Sequence, residues 1–324
     1  MKEVLSQYLH NVDGSKITIN GIEGYRIKNH IYFIIPTAYS EEVHYEQKAI
    51  ADFLHNQGMI HVATPIFSHS GYIVTQYDQK TYVVLEAQIK ESLDSSLSNG
   101  CKLAMFHNAA KRYPYEPKHL SSYGKWRTLW ANKLAFYEEM YVNKTTTKAS
   151  PFHRLFVDTF PYMIGLTENA LQYLQETELD TRYNETDRGT INFIRYNQQL
   201  DQQIIFPQDL VYDHPARDIA EYIRFLLLQE IEDPFQQIQN FLQEYGKQSQ
   251  MSIFCWRLIY GRLLFPTHLF DELEKGFQSH NLEYSYKQFK EILKKQTIYE
   301  KYIKSFFGEI GMDAASLQIP IIDW

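Results

Sequence analysis

The chain has 324 residues, a formal net charge of −7 and an isoelectric point near 6.0, so its overall balance gives no reason to expect a nucleic-acid partner. Hydrophobic residues make up 44%, enough for the core of one large domain or two lobes. The two cysteines, Cys101 and Cys255, lie far apart and outside any metal-ligand spacing, which argues against a disulfide scaffold and a structural zinc site. No basic segment followed by an apolar one opens the chain, and charge interrupts every apolar run before membrane-spanning length; a soluble protein made in the cytoplasm is expected. The 25 tyrosines and 20 phenylalanines suit either an aromatic core or a tyrosine-lined surface for assembly.

Residues 1–89 read as a small lobe. Residues 16–20 alternate in polarity ahead of Gly21, as a strand does. Residues 25–27 and 31–35 flank Lys28-Asn29-His30, a hairpin turn. Residues 41–57 carry Val43, Ile50, Phe53 and Leu54 and stop at Gly58, which fits an amphipathic helix with a glycine end. Strands at 72–75 and 82–85 follow, with Asp78-Gln79 in the turn between them and Glu86-Ala87 as a connector. This predicts a five-stranded antiparallel sheet plus one helix. Residues 90–324 read as mostly helical, over 97–111, 126–142, 152–174, 218–229, 235–245, 251–264 and 269–277, with a polar loop at 143–148.

Two segments are more specific. Leu103-Ala104-Met105-Phe106-His107 lies on a predicted helix, and Tyr212-Asp213-His214-Pro215-Ala216-Arg217-Asp218-Ile219 leads from the β-rich run Gln203-Ile204-Ile205 into another. The first resembles the L-A-x-F/L-H motif, and the second the D-x-P-x-R-D-L/I end of the metal-binding segment, of aminoglycoside-phosphotransferase-like and choline-kinase-like enzymes. The resemblance implies an α+β, two-lobed protein kinase-like fold, with a β-rich N-lobe at 1–89 and a helical C-lobe at 90–324. It also implies structural roles for His107 and for Asp218, which caps its helix or anchors the loop.

Phosphoryl transfer in such a fold needs a lysine held by a helix glutamate, an aspartate to orient the acceptor hydroxyl, and an asparagine and a second aspartate for Mg²⁺, because fixed charges must offset the phosphates. On the strand that should supply the lysine, 31–36, there is no basic residue; Lys28 and Lys48 lie outside it. Glu46 is placed to be the partner glutamate. Where the resemblance puts the catalytic loop, Phe193 replaces the histidine, Ile194 the glycine and Arg195 the aspartate, and Leu200 takes the asparagine position. Asn197 and Asp201 are near but out of register. Counting back from Asp213, the metal aspartate position falls on Phe206, with Asp209 three residues downstream. The positions Phe193, Arg195, Leu200 and Phe206 are therefore read as degenerate. Glu46, Glu86 and Asp209 remain as candidate cofactor-binding residues, no metal site is assigned and no cofactor is expected.

Taken together, these features resemble the spore coat-associated kinase-like family of endospore-forming bacteria, in particular its branch with degenerate catalytic motifs. Membership implies synthesis in the mother cell, then a place in the spore coat, with other coat proteins as partners. Neither nucleic acid nor membrane is expected, and homo-oligomerisation stays open. The expected function is non-catalytic, in coat assembly or structure. The alternatives are a small-molecule or sugar kinase with metal ligands relocated to Asp209 and Asp213, and a pseudokinase that binds nucleotide as a switch, with the Glu86-Ala87 backbone bonding the adenine. The bulk of Phe193 and Phe206 predicts a filled cleft.

Overall fold

A computed structural model describes residues 1–90, 96–145 and 150–322. The loop residues expected at 146–148 lie outside that range. Two compact units form: one from Met1–Tyr123, Arg188–Pro215 and Glu244–Ser249, the other from Gly124–Asp187, Ala216–Gln243 and Gln250 onward. The helix with the L-A-M-F-H motif and the chain around Phe193 and Phe206 thus group with the sheet.

The first unit begins with α1 (Lys2–Leu5), β1 (Ser15–Ile19), β2 (Ile22–Ile27), β3 (His30–Pro36) and α2 (Glu41–Asn56). It continues with β4 (Thr64–Pro65), β5 (Val74–Tyr77), β6 (Lys80–Ala87) and α3 (Asn99–Ala110), then takes in β7 (Thr190–Phe193) and β8 (Leu210–Asp213). The sheet has six strands rather than the five expected, in the order β1-β2-β3-β6-β4, with β5 also paired to β6. The extra strand, β4, is two residues long and ends on a proline, too short for any alternation to betray it. All its pairings are antiparallel. Asn20 (φ 51°) and Gly21 (φ 78°) form the two-residue turn that joins β1 to β2, and the left-handed backbone there suits this dipeptide.

At the central strands β3 and β6 the sheet is buried on both faces, and successive residues, which point to opposite sides, enter two different cores. Tyr32 and Ile34 pack with Tyr82 and Val84 against Val4, Leu5 and Tyr8 at the N-terminus. Ile31 and Phe33 face the other way, with Val83, Leu85 and Ala87.

The second unit holds α4 (Trp126–Thr145), α5 (Pro151–Glu178), α6 (Ala216–Leu227), all but the last residues of α7 (Pro234–Gly246), α8 (Ile253–Leu264), α9 (Thr267–Gln278) and α10 (Leu282–Glu309). Its centre is α8, buried from Cys255 to Leu264 and packed on α5 and α6. The longest missed element is α10, whose few buried apolar residues are spread among lysines and glutamates. Among the described residues, no helix is long and apolar enough to cross a membrane.

Burying α8 also buries its arginines. Glu221 of α6 bonds both Arg262 of α8 (2.7 Å) and Arg224 (2.7 Å), and all three side chains are under 5% exposed. Arg262 also lies over the Trp126 ring, 4.7 Å from its centroid. Glu221→Ala would leave two guanidinium groups buried without their shared carboxylate, so urea unfolding should register a loss of about 3–5 kcal/mol.

Candidate functional site

The candidate site is the Phe33 face of the sheet, and the chain between β7 and β8 covers it. These two strands pair antiparallel, Phe193 opposite Leu210. The intervening residues return beneath the sheet, where Ile204 and Phe206 join Ile19, Ile31, Phe33, Val83, Leu85 and Ala87 in one apolar cluster. The Phe206 ring meets the Phe33 ring edge-on, with centroids 5.0 Å apart. The residue at the expected metal-aspartate position is therefore 2% exposed and seated on the strand expected to carry the lysine.

Backbone and side-chain bonds fix this arrangement. Ile205 N–H donates to His61 O (3.0 Å), and Ala63 N–H donates to Ile205 O (2.8 Å). Glu86 and Ala87, expected as a connector, are instead the last residues of β6, paired with Tyr32 and Ile31; just past them Lys90 N–H donates to Gln203 O (3.1 Å) and its ammonium to Leu200 O (3.3 Å). At the far edge, the Asn20 amide donates to Ile204 O (3.0 Å) and Gln202 Oε1 (3.1 Å), tying the β1–β2 turn to the covering segment. From the sequence, Gln203-Ile204-Ile205 is marked only as a β-rich run and Asn20 only as the end of a strand, and neither they nor Lys90 are read as site residues. The Asn20-Gly21 pair and the apolar run Ile204-Ile205-Phe206 were the signals available, but nothing local joins two segments more than 180 residues apart.

The other predicted positions scatter. Phe193 is fully buried, yet it packs against Phe106 of α3 and Tyr196, so of the two phenylalanines expected to fill the cleft only Phe206 lies in the cluster under the sheet. Arg195 donates to the neighbouring Ile194 O. Leu200 is buried, and Asp201 is ion-paired with Lys102 of α3 at 2.6 Å. The Glu46 carboxylate accepts from the backbone amides of Lys118, His119 and Leu120 at 2.7–3.1 Å, a set of donors that would otherwise suit an external anion. Glu86 accepts from Tyr32 OH (2.7 Å) and lies 3.1 Å from His30 Nδ1.

Asp209 sits in the 3₁₀ turn Pro207–Asp209, which lies against α2, and burial holds its carboxyl above the ordinary range. Asp213, the other acid of a relocated metal pair, is fully buried and accepts from Ser122 Oγ (2.6 Å) and its neighbour's amide, His214 N–H (2.7 Å). His107 is fully buried, bonded through Nδ1 to Tyr245 OH (2.9 Å), and burial drives its pKa well down. That is a structural histidine, as expected. Asp218 occupies the first turn of α6 and is also fully buried.

The sequence profile of the family described as "Spore coat putative kinase YutH" matches residues 2–306. The endospore coat-associated protein YutH of Bacillus subtilis (strain 168) is 34% identical over 307 residues, which cover 93% of this chain and 90% of that protein. Among solved structures, an aminoglycoside phosphotransferase from Alicyclobacillus acidocaldarius superposes with a TM-score of 0.62 at 14% identity, covering 96% of each chain. A microcompartment-associated aminopropanol kinase gives 0.59 at 12% identity, over 99% of this chain and 98% of that one. A choline kinase from Streptococcus pneumoniae gives 0.52 at 11% identity, over 93% and 97%. At these identities the structures bear out the expected kinase-like fold and nothing about activity.

Two outcomes follow from the covered face. Phe206→Ala should cost about 3–5 kcal/mol in urea unfolding, from lost burial plus the cavity left beside Phe33. His61, whose carbonyl holds Ile205, has its pKa depressed from 6.5 to about 4, chiefly by burial and then by the Lys90 charge. A depressed histidine binds fewer protons when folded, so its contribution is present above 6.5 and lost as pH falls towards 4, in total about 3 kcal/mol. His61→Gln should flatten the stability–pH profile across that window relative to the parent chain.

Proposed function

We propose that this chain, which belongs to the YutH spore coat family, acts in assembly of the bacterial endospore coat through protein–protein contacts and transfers no phosphoryl group. The observation that carries this reading is Phe206 packed on Phe33, with Asn20 bonded to the segment that brings it there. Phosphoryl transfer depends on fixed positive charge and metal at the phosphates. Here the expected lysine strand and metal position meet as two phenyl rings. The Lys90 amide, a donor just past β6, already has its acceptor in Gln203 O. Synthesis in the mother cell followed by deposition in the coat, with other coat proteins as partners, fits this reading.

A second reading keeps catalysis and uses Asp209 as a relocated Mg²⁺ ligand. It is favoured by the buried Asp209 carboxyl, whose raised pKa a bound cation would reverse. Against it, Asp213 already serves Ser122 and the His214 amide.

Calorimetric titration of the purified chain with ATP, with and without Mg²⁺ or Mn²⁺, separates the readings. The expected result is no binding heat up to millimolar nucleotide. Metal-dependent binding with turnover that Asp209→Ala abolishes would replace the proposal with the kinase reading. Saturable binding without turnover would replace it with a nucleotide-responsive switch.

A further inference from the structure

The second unit carries a face whose charge opposes that of the whole chain. Lys287, Lys290, Lys294 and Lys301 are exposed on α10 at the spacing i, i+3, i+7 and i+14, which the 3.6-residue period gathers on one side of the helix. Ile298, 52% exposed, falls in the same stripe at i+11. At 1.5 Å per residue the four lysines span about 21 Å. The opposite side of α10, with Phe289, Tyr299, Ile303, Phe306 and Phe307, is buried, so the stripe is held outward on a fixed element.

The acids on this surface hold it weakly. Glu283 pairs with Lys287 (2.9 Å) and Glu291 with Lys294 (2.6 Å), all four side chains being more than half exposed. Such exposed pairs contribute little and can be exchanged for a partner's carboxylates. Lys290 lies 5.8 Å from the Tyr286 ring centroid. Lys295, on the flank, is occupied by Leu228 O and Glu230.

We infer that the outer face of α10 docks an acidic polypeptide segment, with its carboxylates on the four lysines and an apolar side chain on Ile298. A polypeptide can leave gaps in its charge opposite Glu283 and Glu291; the uniform phosphates of a nucleic acid cannot. The stripe also lacks arginine, the side chain best suited to grip phosphate bidentately. A bilayer would need the apolar side of the helix, which is already inside the protein. The inference is independent of whether the first unit transfers phosphate.

Fluorescence anisotropy with a labelled glutamate-rich peptide of about 20 residues, carrying leucines on one helical face, tests it on the full chain. Saturable binding that weakens from roughly 50 to 300 mM salt is expected. The variant K287E/K290E/K294E/K301E should bind at least about tenfold more weakly, whereas K16E/K28E/K80E/K118E, with the same change in net charge, should stay within about twofold. Ile298→Ser should weaken binding about threefold without altering its salt dependence. Unchanged thermal melting of each variant would show that folding is preserved, and the corresponding Lys→Gln set on α10 should give a smaller loss in the same direction. Absence of peptide binding, equal losses in the two quadruple variants, or tighter binding to phosphatidylserine vesicles or oligothymidine would overturn the inference.

Discussion

A sheet face rich in isoleucine, valine and phenylalanine has to be covered, and in this protein the chain covers it with its own residues 204–206. Much of the first unit's organisation depends on that contact. It determines where β7 and β8 lie, what the β1–β2 turn touches and which backbone groups beside Lys90 stay available. Nine buried residues contribute to the cluster, and two of them, Ile204 and Phe206, come from the covering segment. Burial of this kind is non-directional, but the hydrogen bonds at Asn20, Ala63, Lys90 and Ile205 give it a single register.

A phosphate site keeps charges in place against their own repulsion and desolvation, and it repays that cost only when ligand binds. Here the charged residues singled out from the sequence lie apart from the apolar cluster and are held by local contacts. Glu46 caps three backbone amides, Asp201 holds Lys102, and Asp213 bonds Ser122. Each is an ordinary stabilising contact that requires no ligand.

How much was legible in the sequence follows from the range of each interaction. The strands at β3 and β6, the helix α2 and the Leu103–His107 helix were readable because their periodicity lies within a dozen residues. So was the lack of a basic residue at 31–36, because it concerns one short strand. The six-stranded count was missed because β4 has only two residues, and α10 because its apolar positions are too sparse to stand out from its charges. Phe206 could be flagged as the wrong residue for a metal, whereas its seat on Phe33 depends on a chain reversal that no local pattern encodes. Phe193 shows the converse: it looked equivalent to Phe206 in sequence, and one strand pairing sends it into a different core.

The Asn20-Gly21 turn has a chemical side as well as a geometric one. Asparagine followed by glycine is the dipeptide whose side-chain amide is lost most readily, since glycine leaves its nitrogen unhindered to attack the asparagine carbonyl, and asparagine is counted among the thermolabile residues for such reasons. Here that amide faces two acceptor oxygens, on Ile204 and Gln202. Deamidation would replace the donor with a carboxylate, and the latch would become a repulsion between oxygens. The turn that fastens the sheet to its covering segment is thus also the residue pair most sensitive to elapsed time, and the two hydrogen bonds lost on deamidation are the ones that make the fastening.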